Sequence, residues 1–154
     1  MTNPFRLGVS WFVASCLAAC ALGPGNSYVG QVETPADAQV LSGDMADFVA
    51  GQLPAASSTV VLDPTPSDQA GNDLTPVFVA ALRDRGFAVA DPRQVGAPGA
   101  HHIRYLVTRL DSGDLVRVSI DGGSMEASRF FVRNTAGDLQ AGGPFAVRQM
   151  VEAN

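Results

Sequence analysis

The sequence predicts an α+β fold in which two helices pack on a mixed sheet whose C-terminal half is an antiparallel meander. Two stretches repeat apolar residues with a helical period, and a short β-branched run lies between them. From residue 102 onwards the apolar period changes to two, and Asp/Gly/Ser turns divide the alternating stretch. An apolar N-terminal run followed by a Gly/Pro-rich segment predicts a cleaved signal peptide and a flexible tether before the domain.

The first helix is predicted to begin at Thr34-Pro35, because threonine is a good N-cap and proline suits the first helical position. Asp37 stands three residues after the cap, as in a capping box. Pro54 ends the helix. An apolar stripe at helical spacing is expected to face the core, although a partner-binding face is the alternative use of such a stripe. Its members are Leu41, Met45, Phe48, Val49 and Leu53.

A strand–helix–strand unit is predicted next. Residues 58–62 are β-branched and apolar and indicate a buried strand, which a Pro-rich loop over residues 63–68 follows. A second helix begins between Asn72 and Thr75 and ends at Gly86. It has Leu74, Phe78, Ala81 and Leu82 on one face. Residues 87–90 form a second short strand, so the unit is βαβ-like, with a strand order that the sequence leaves open.

The meander is predicted to have strands at residues 102–110, 115–121 and 125–133, with turns at 111–114 and 121–124. Residues 139–141 add a short strand, and residues 145–150 form a last strand or a tail. We expect the arginines of these strands to form a solvated sheet face with nearby acidic residues, and a docking surface for an acidic partner is the alternative. This predicted arginine ladder comprises Arg104, Arg109, Arg117, Arg129 and Arg133, opposite Asp111, Asp114, Asp121 and Glu126.

Patterns typical of catalysis or metal binding are missing from the sequence. His101 and His102 are adjacent, and strand neighbours point to opposite faces, so they cannot chelate one metal together. There is no Gly-x-Ser-x-Gly, no His-Glu-x-x-His and no P-loop, and residues 121–124 fit a hairpin turn better than a phosphate cradle. We therefore expect that the protein is not an enzyme, that it has no cofactor or metal site and that it has no small-molecule substrate.

The charge and length of the chain narrow the class of protein further. Its 154 residues fit a single domain, and every basic residue is arginine. If residues 1–19 are removed, nine arginines remain against fifteen acidic residues, a net charge of −6. Because an acidic surface repels phosphates, direct nucleic-acid binding is not expected.

The pattern of the N-terminal 23 residues predicts an export signal. Arg6 precedes an apolar run over residues 7–19 that is too short for a transmembrane helix, and small residues close the run. The closing residues, Leu17-Ala18-Ala19-Cys20, resemble the lipobox of bacterial lipoproteins. That resemblance implies cleavage between Ala19 and Cys20 and lipidation of the Cys20 thiol, which anchors the protein in a membrane. Cys16 would leave with the signal, so the mature chain would have no disulfide.

The alternative is an ordinary signal peptide that is cut elsewhere and leaves Cys20 unmodified. With the lipobox, the chain divides into a signal peptide at 1–19, an acylated cysteine and tether at 20–35, and one α+β domain at 36–154. About 15 tether residues could span up to ~50 Å. The residue after the cysteine is Ala21 and not aspartate, which the resemblance links to the outer membrane, with the domain in the periplasm.

The order of segments resembles the TrbH family of conjugal transfer lipoproteins. The likeness covers the lipobox, a Thr-Val-Val-Leu-Asp strand, Leu82-Arg83-Asp84-Arg85-Gly86-Phe87 after a helix, and a meander that ends in Arg129-Phe130-Phe131-Val132. It implies a structural role in a conjugative type IV secretion system, with other outer-membrane channel subunits as partners. Cys20 is the only site residue it carries over. The alternative is an outer-membrane-anchored periplasmic regulator or binding module, such as an activator of a cell-wall enzyme.

Overall fold

A computed structural model of the chain describes residues 26–66, 72–92 and 99–150, and these residues adopt the predicted α+β fold. The helices are α1 (Pro35–Gln52) and α2 (Leu74–Asp84). The strands are β1 (Tyr28–Val29), β2 (Thr59–Leu62), β3 (Ala88–Ala90), β4 (His101–Leu110), β5 (Gly113–Ile120), β6 (Met125–Arg133), β7 (Leu139–Ala141) and β8 (Ala146–Gln149).

The eight described strands form one mixed sheet. Its order is β3-β2-β4-β5-β6-β7, and β1 pairs with β4 while β8 pairs with β6. β1 and β2 each pair with β4 in parallel, and β3 pairs with β2 in parallel. The strands β4 to β8 pair with one another only in antiparallel orientation. β2 and β3 are neighbours joined through α2, so the predicted βαβ unit and the C-terminal meander are both confirmed.

The start of α1 follows from its capping residues. The Thr34 hydroxyl accepts a hydrogen bond from the Asp37 backbone N–H at 3.1 Å, and the Asp37 carboxylate accepts one from the Thr34 N–H at 3.1 Å. Pro35 occupies the first turn, and the helix ends two residues before Pro54. Four of the five residues of the predicted stripe are buried, and Leu41, Met45 and Val49 have no exposed surface. Leu53, at the end of the stripe, is half-buried.

Both helices cover the same face of the sheet. Their apolar side chains form one core with alternate residues of β4, β5 and β6, among them Ile103, Val116 and Phe131. α2 is tied to this face through Tyr105, whose hydroxyl lies 2.7 Å from Thr75 Oγ1 and whose ring meets Phe78 edge-on at 5.3 Å. Burial raises the pKa of the Tyr105 hydroxyl.

The domain begins earlier than the sequence predicted. Residues 26–34, assigned to the tether, are part of the folded domain. Ser27 is fully buried, its backbone N–H donates to the Pro64 carbonyl at 3.0 Å, and its hydroxyl accepts the Tyr105 N–H at 3.2 Å. Gly30 N–H donates to Val107 O at 2.7 Å. β4 is longer than β2, and β1 supplies partners for the exposed backbone groups beyond the end of β2.

Candidate functional site

The predicted lipidation and cleavage residues, Cys20 and Ala19, lie outside the described residues. The described part of the chain shows instead where the N-terminal segment enters the domain. β1 leads directly into an ionic cluster at the start of α1, which we call the N-terminal clamp. Its members are Glu33, Asp37, Arg109, Asp114 and Arg133.

Arg133 on β6 lies at the centre of the N-terminal clamp. Its guanidinium contacts the Glu33 carboxylate at 2.7 Å and both Asp37 carboxylate oxygens at 2.9 and 3.2 Å. Arg109 on β4 donates to the other oxygen of Glu33. The hydrogen bonds from Arg133 lower the pKa of Asp37. Two strands of the meander therefore hold the last residues before α1 against the sheet.

Asp114 and Asp37 are the two buried members of the N-terminal clamp. Asp114 differs from Asp37 in its hydrogen bonding. It lies opposite Arg109 on the neighbouring strand, and its side chain is turned to the helix-facing side of β5, with the residue 3% exposed. Among the described residues its Oδ1 atom has no hydrogen-bond partner. Burial raises the pKa of the Asp114 carboxyl, and this effect outweighs the attraction of Arg109 and Arg133. Its ionised form is thus less stable in the fold than in the unfolded chain.

An Asp114→Asn variant is therefore expected to be more stable than the wild type at neutral pH. The folded pKa of Asp114 is raised, so the protonated carboxyl stabilises the fold at low pH, and this contribution is lost as the pH rises through the folded pKa. The difference in the free energy of unfolding should close as the pH falls to about 4. Urea titrations across this range check it, with the exposed Asp111→Asn as the control. If Asp114→Asn and the wild type differed by the same free energy of unfolding at neutral pH and at about pH 4, the raised pKa of Asp114 would be contradicted.

The predicted arginine ladder is wrong for three of its five members. Arg109, Arg129 and Arg133 share the helix-facing side of the sheet with Tyr105 and Phe131, because side chains alternate along a strand. These three arginines bind carboxylates at the start of α1 or along it. The sequence showed which strand side they occupy, but not that acidic residues of α1 would lie above them.

Arg129 binds a carboxylate of α1 and a backbone carbonyl of the loop before β8. Its Nη1 donates to both oxygens of Asp44 at 2.6 and 2.7 Å, and its Nε donates to the Gly143 carbonyl at 2.5 Å. Its guanidinium lies 5.0 Å from the Phe145 ring centre, and that ring packs 4.9 Å from Phe48 of α1. One side chain therefore joins α1, β6 and the loop before β8.

Arg104 and Arg117 are the ladder members that lie on the outer side, away from the helices. Arg117 Nε is 3.7 Å from Glu126 Oε1, and Arg148 of β8 approaches the same oxygen at 3.6 Å. At these distances and exposures the pairs are weak. The predicted position on the sheet surface therefore holds for Arg104 and Arg117, and the sequence did not place Arg148 beside them.

The two adjacent histidines contact different carboxylates, as strand alternation predicted. His101 Nδ1 lies 2.7 Å from Asp121 Oδ2, and His102 Nδ1 lies 3.2 Å from Asp63 Oδ1. Across residues 26–66, 72–92 and 99–150, no three His, Cys, Asp or Glu side chains are grouped so that they could hold a metal ion.

The turn at Asp121 connects β5 to β6 through a 3₁₀ turn over Asp121–Gly123, as expected for a hairpin connection. Gly122 and Gly123 have φ angles of 68° and 101°, a region that favours glycine, and the Ser124 hydroxyl donates to the Ile120 carbonyl at 3.0 Å. The turn is therefore closed by its own backbone and side chains.

Neither α1 nor α2 has the length and apolar content needed to cross a membrane, and no other described helix does.

The comparisons with known proteins identify the family. The model of the family described as conjugal transfer protein TrbH matches residues 23–150, which includes β1, the N-terminal clamp and the whole sheet. No curated protein matches the chain, and no solved structure matches it. Because the family match covers most of the sequence, this chain belongs to the TrbH family of conjugal transfer proteins.

Proposed function

We propose that this protein is an outer-membrane lipoprotein that helps to assemble the envelope channel of a conjugative type IV secretion system. The family match over residues 23–150 is the observation that carries the proposal. The lipobox-like Leu17-Ala18-Ala19-Cys20 supports a lipid anchor at Cys20. The partners would be other outer-membrane subunits of the channel.

The geometry favours a structural role over a catalytic one. The charged side chains that the sequence singled out are used for packing: Arg129 and Arg133 tie α1 to the sheet, and the histidines each contact one aspartate. The N-terminal segment is held by backbone pairing and by the N-terminal clamp. A force applied through a lipid at Cys20 would therefore act on the sheet itself.

Replacing Cys20 tests the proposal in cells. We expect Cys20→Ser to lose membrane association and to lower conjugation frequency to the level of a strain that lacks the gene, since one thiol carries the anchor. Cys16→Ser is the matched control, because it removes the other cysteine and leaves the lipobox intact. Cell fractionation and mating assays measure the two outcomes.

Copurification distinguishes channel assembly from the alternative role. A tagged protein extracted in mild detergent should bring channel subunits with it. If it comes out alone and cells without the gene still conjugate, the assembly role is contradicted. A cell-wall enzyme as its partner, together with a cell-shape defect, would instead support an outer-membrane-anchored regulator.

A further inference from the structure

The sheet face that points away from the helices carries apolar side chains. On β1, β4, β5 and β6 the outward-facing residues include Tyr28, Leu106, Leu110, Leu115, Phe130 and Val132. Tyr28 and Leu110 are 44% and 43% exposed. In the described part of the chain both helices pack on the opposite face, and contiguous exposed apolar surface of this kind marks an interaction site.

The same face is basic on an otherwise acidic protein. Arg104, Arg117 and Arg148 point outwards with Glu126 as the acidic residue among them, and Asp63 lies at the border beside His102. The outward-facing residues of these strands therefore carry a net charge of +2, and Asp121 lies at the same border, where it accepts the His102 backbone N–H. The remaining described residues have five arginines against twelve acidic residues. An anionic surface would attract this face and repel the rest of the molecule.

The length of the N-terminal segment keeps this face near the membrane. Because β1 is held in the sheet, only residues 21–26 separate Cys20 from the buried Ser27. Seven Cα steps reach at most about 25 Å, roughly half the span of the predicted tether. The parallel register places Tyr28 beside Leu106, so the segment enters the domain at an edge of the outward face, close to Arg104.

We propose that the outward sheet face docks on the anionic phospholipid surface in which the protein is anchored. The short distance between the domain and the membrane depends on the proposed anchor at Cys20. The composition of the outward sheet face depends only on the described residues. Arginines at one end would contact lipid phosphates, while Leu110 and Phe130 at the other end would contact the acyl boundary. The acidic surface of a second copy fits less well, because Asp37, Asp44 and Asp47 of α1 are already bound by arginines of their own chain.

A single tryptophan reports the orientation of the domain. Trp11 is the only tryptophan in the sequence, so Trp11→Phe gives a chain without one. Tyr28→Trp then probes the outward face, and Val40→Trp on α1, where the native side chain is 39% exposed, is the matched control. The protein is purified from the envelope and either reconstituted into vesicles or mixed with added vesicles. The vesicles contain brominated phosphatidylcholine, with and without phosphatidylglycerol.

We expect bromine to quench Tyr28→Trp and not Val40→Trp when phosphatidylglycerol is present. Each of Arg104→Gln and Arg148→Gln should lower the ratio of docked to undocked protein about fivefold, since an arginine near an anionic surface is worth about 1 kcal/mol. Arg83→Gln, an exposed arginine on α2, should leave the quenching unchanged.

Three results would overturn the proposal: no quenching of either probe, equal quenching of both, or a Tyr28→Trp signal that changes with protein concentration in the absence of vesicles. The last result would indicate a second copy on this face. The mass of the same preparation reports the lipid on Cys20 separately. An unmodified Cys20 would contradict the proposed anchor, while quenching by added vesicles would still support the docking face.

Discussion

Gly113→Ala is expected to destabilise the domain by about 3 kcal/mol or more, among the largest effects of any single methyl group here. A Cβ built on Gly113 would lie 1.9 Å from the Phe131 carbonyl oxygen, and the φ angle is +155°. The obstacle is backbone of the central pair β5–β6, so no flexible side chain can move aside. Urea unfolding followed by circular dichroism measures the loss.

Gly143→Ala is the matched control for Gly113→Ala. A Cβ at Gly143 meets no atom within 4 Å, and we expect its free energy of unfolding to change by less than about 0.5 kcal/mol. If the two variants unfold at the same urea concentration, that result would contradict the close approach of the β6 backbone to Gly113.

Arg129→Ala is expected to cost about 2 kcal/mol of stability, because it leaves Asp44 partly buried without its cation. The Arg129 and Asp44 side chains are only 20% and 24% exposed. Arg117→Ala, on the adjacent strand, should cost under about 0.5 kcal/mol, because its contact with Glu126 is long and exposed. Thermal unfolding of the two purified variants compares them.

The contrast between Arg129 and Arg117 tests which arginines bind α1. Similar losses for both would contradict the placement of Arg129 under the helix. A double variant, Arg129→Ala with Asp44→Ala, should recover part of the loss of Arg129→Ala, since the unpaired carboxylate is then removed.

The elements of the fold could be predicted because local signals agreed with one another. The start of α1 is defined by Thr34, Pro35 and Asp37. The turn after α2 contains Gly86, which has a φ of +90°. The alternation of apolar and polar residues defines β4, β5 and β6. Each of these signals lies within a few residues of the feature it predicts.

The partners of the charged residues could not be predicted, because they depend on contacts between residues far apart in the sequence. Arg133 and Asp37 are 96 positions apart, and Arg129 and Asp44 are 85 apart. The pairing of β1 with β4 was missed for the same reason. Two apolar residues in a polar stretch are too short a strand signal, and the need for a partner arises only when β4 extends past β2.

The mass of the mature protein isolated from the envelope tests the central claim most directly. A lipoprotein of the conjugative apparatus should begin at Cys20 and carry a diacylglycerol on the thiol, with a further acyl chain on the new amino group. A chain that begins elsewhere, or that begins at Cys20 with a free thiol, would contradict the account.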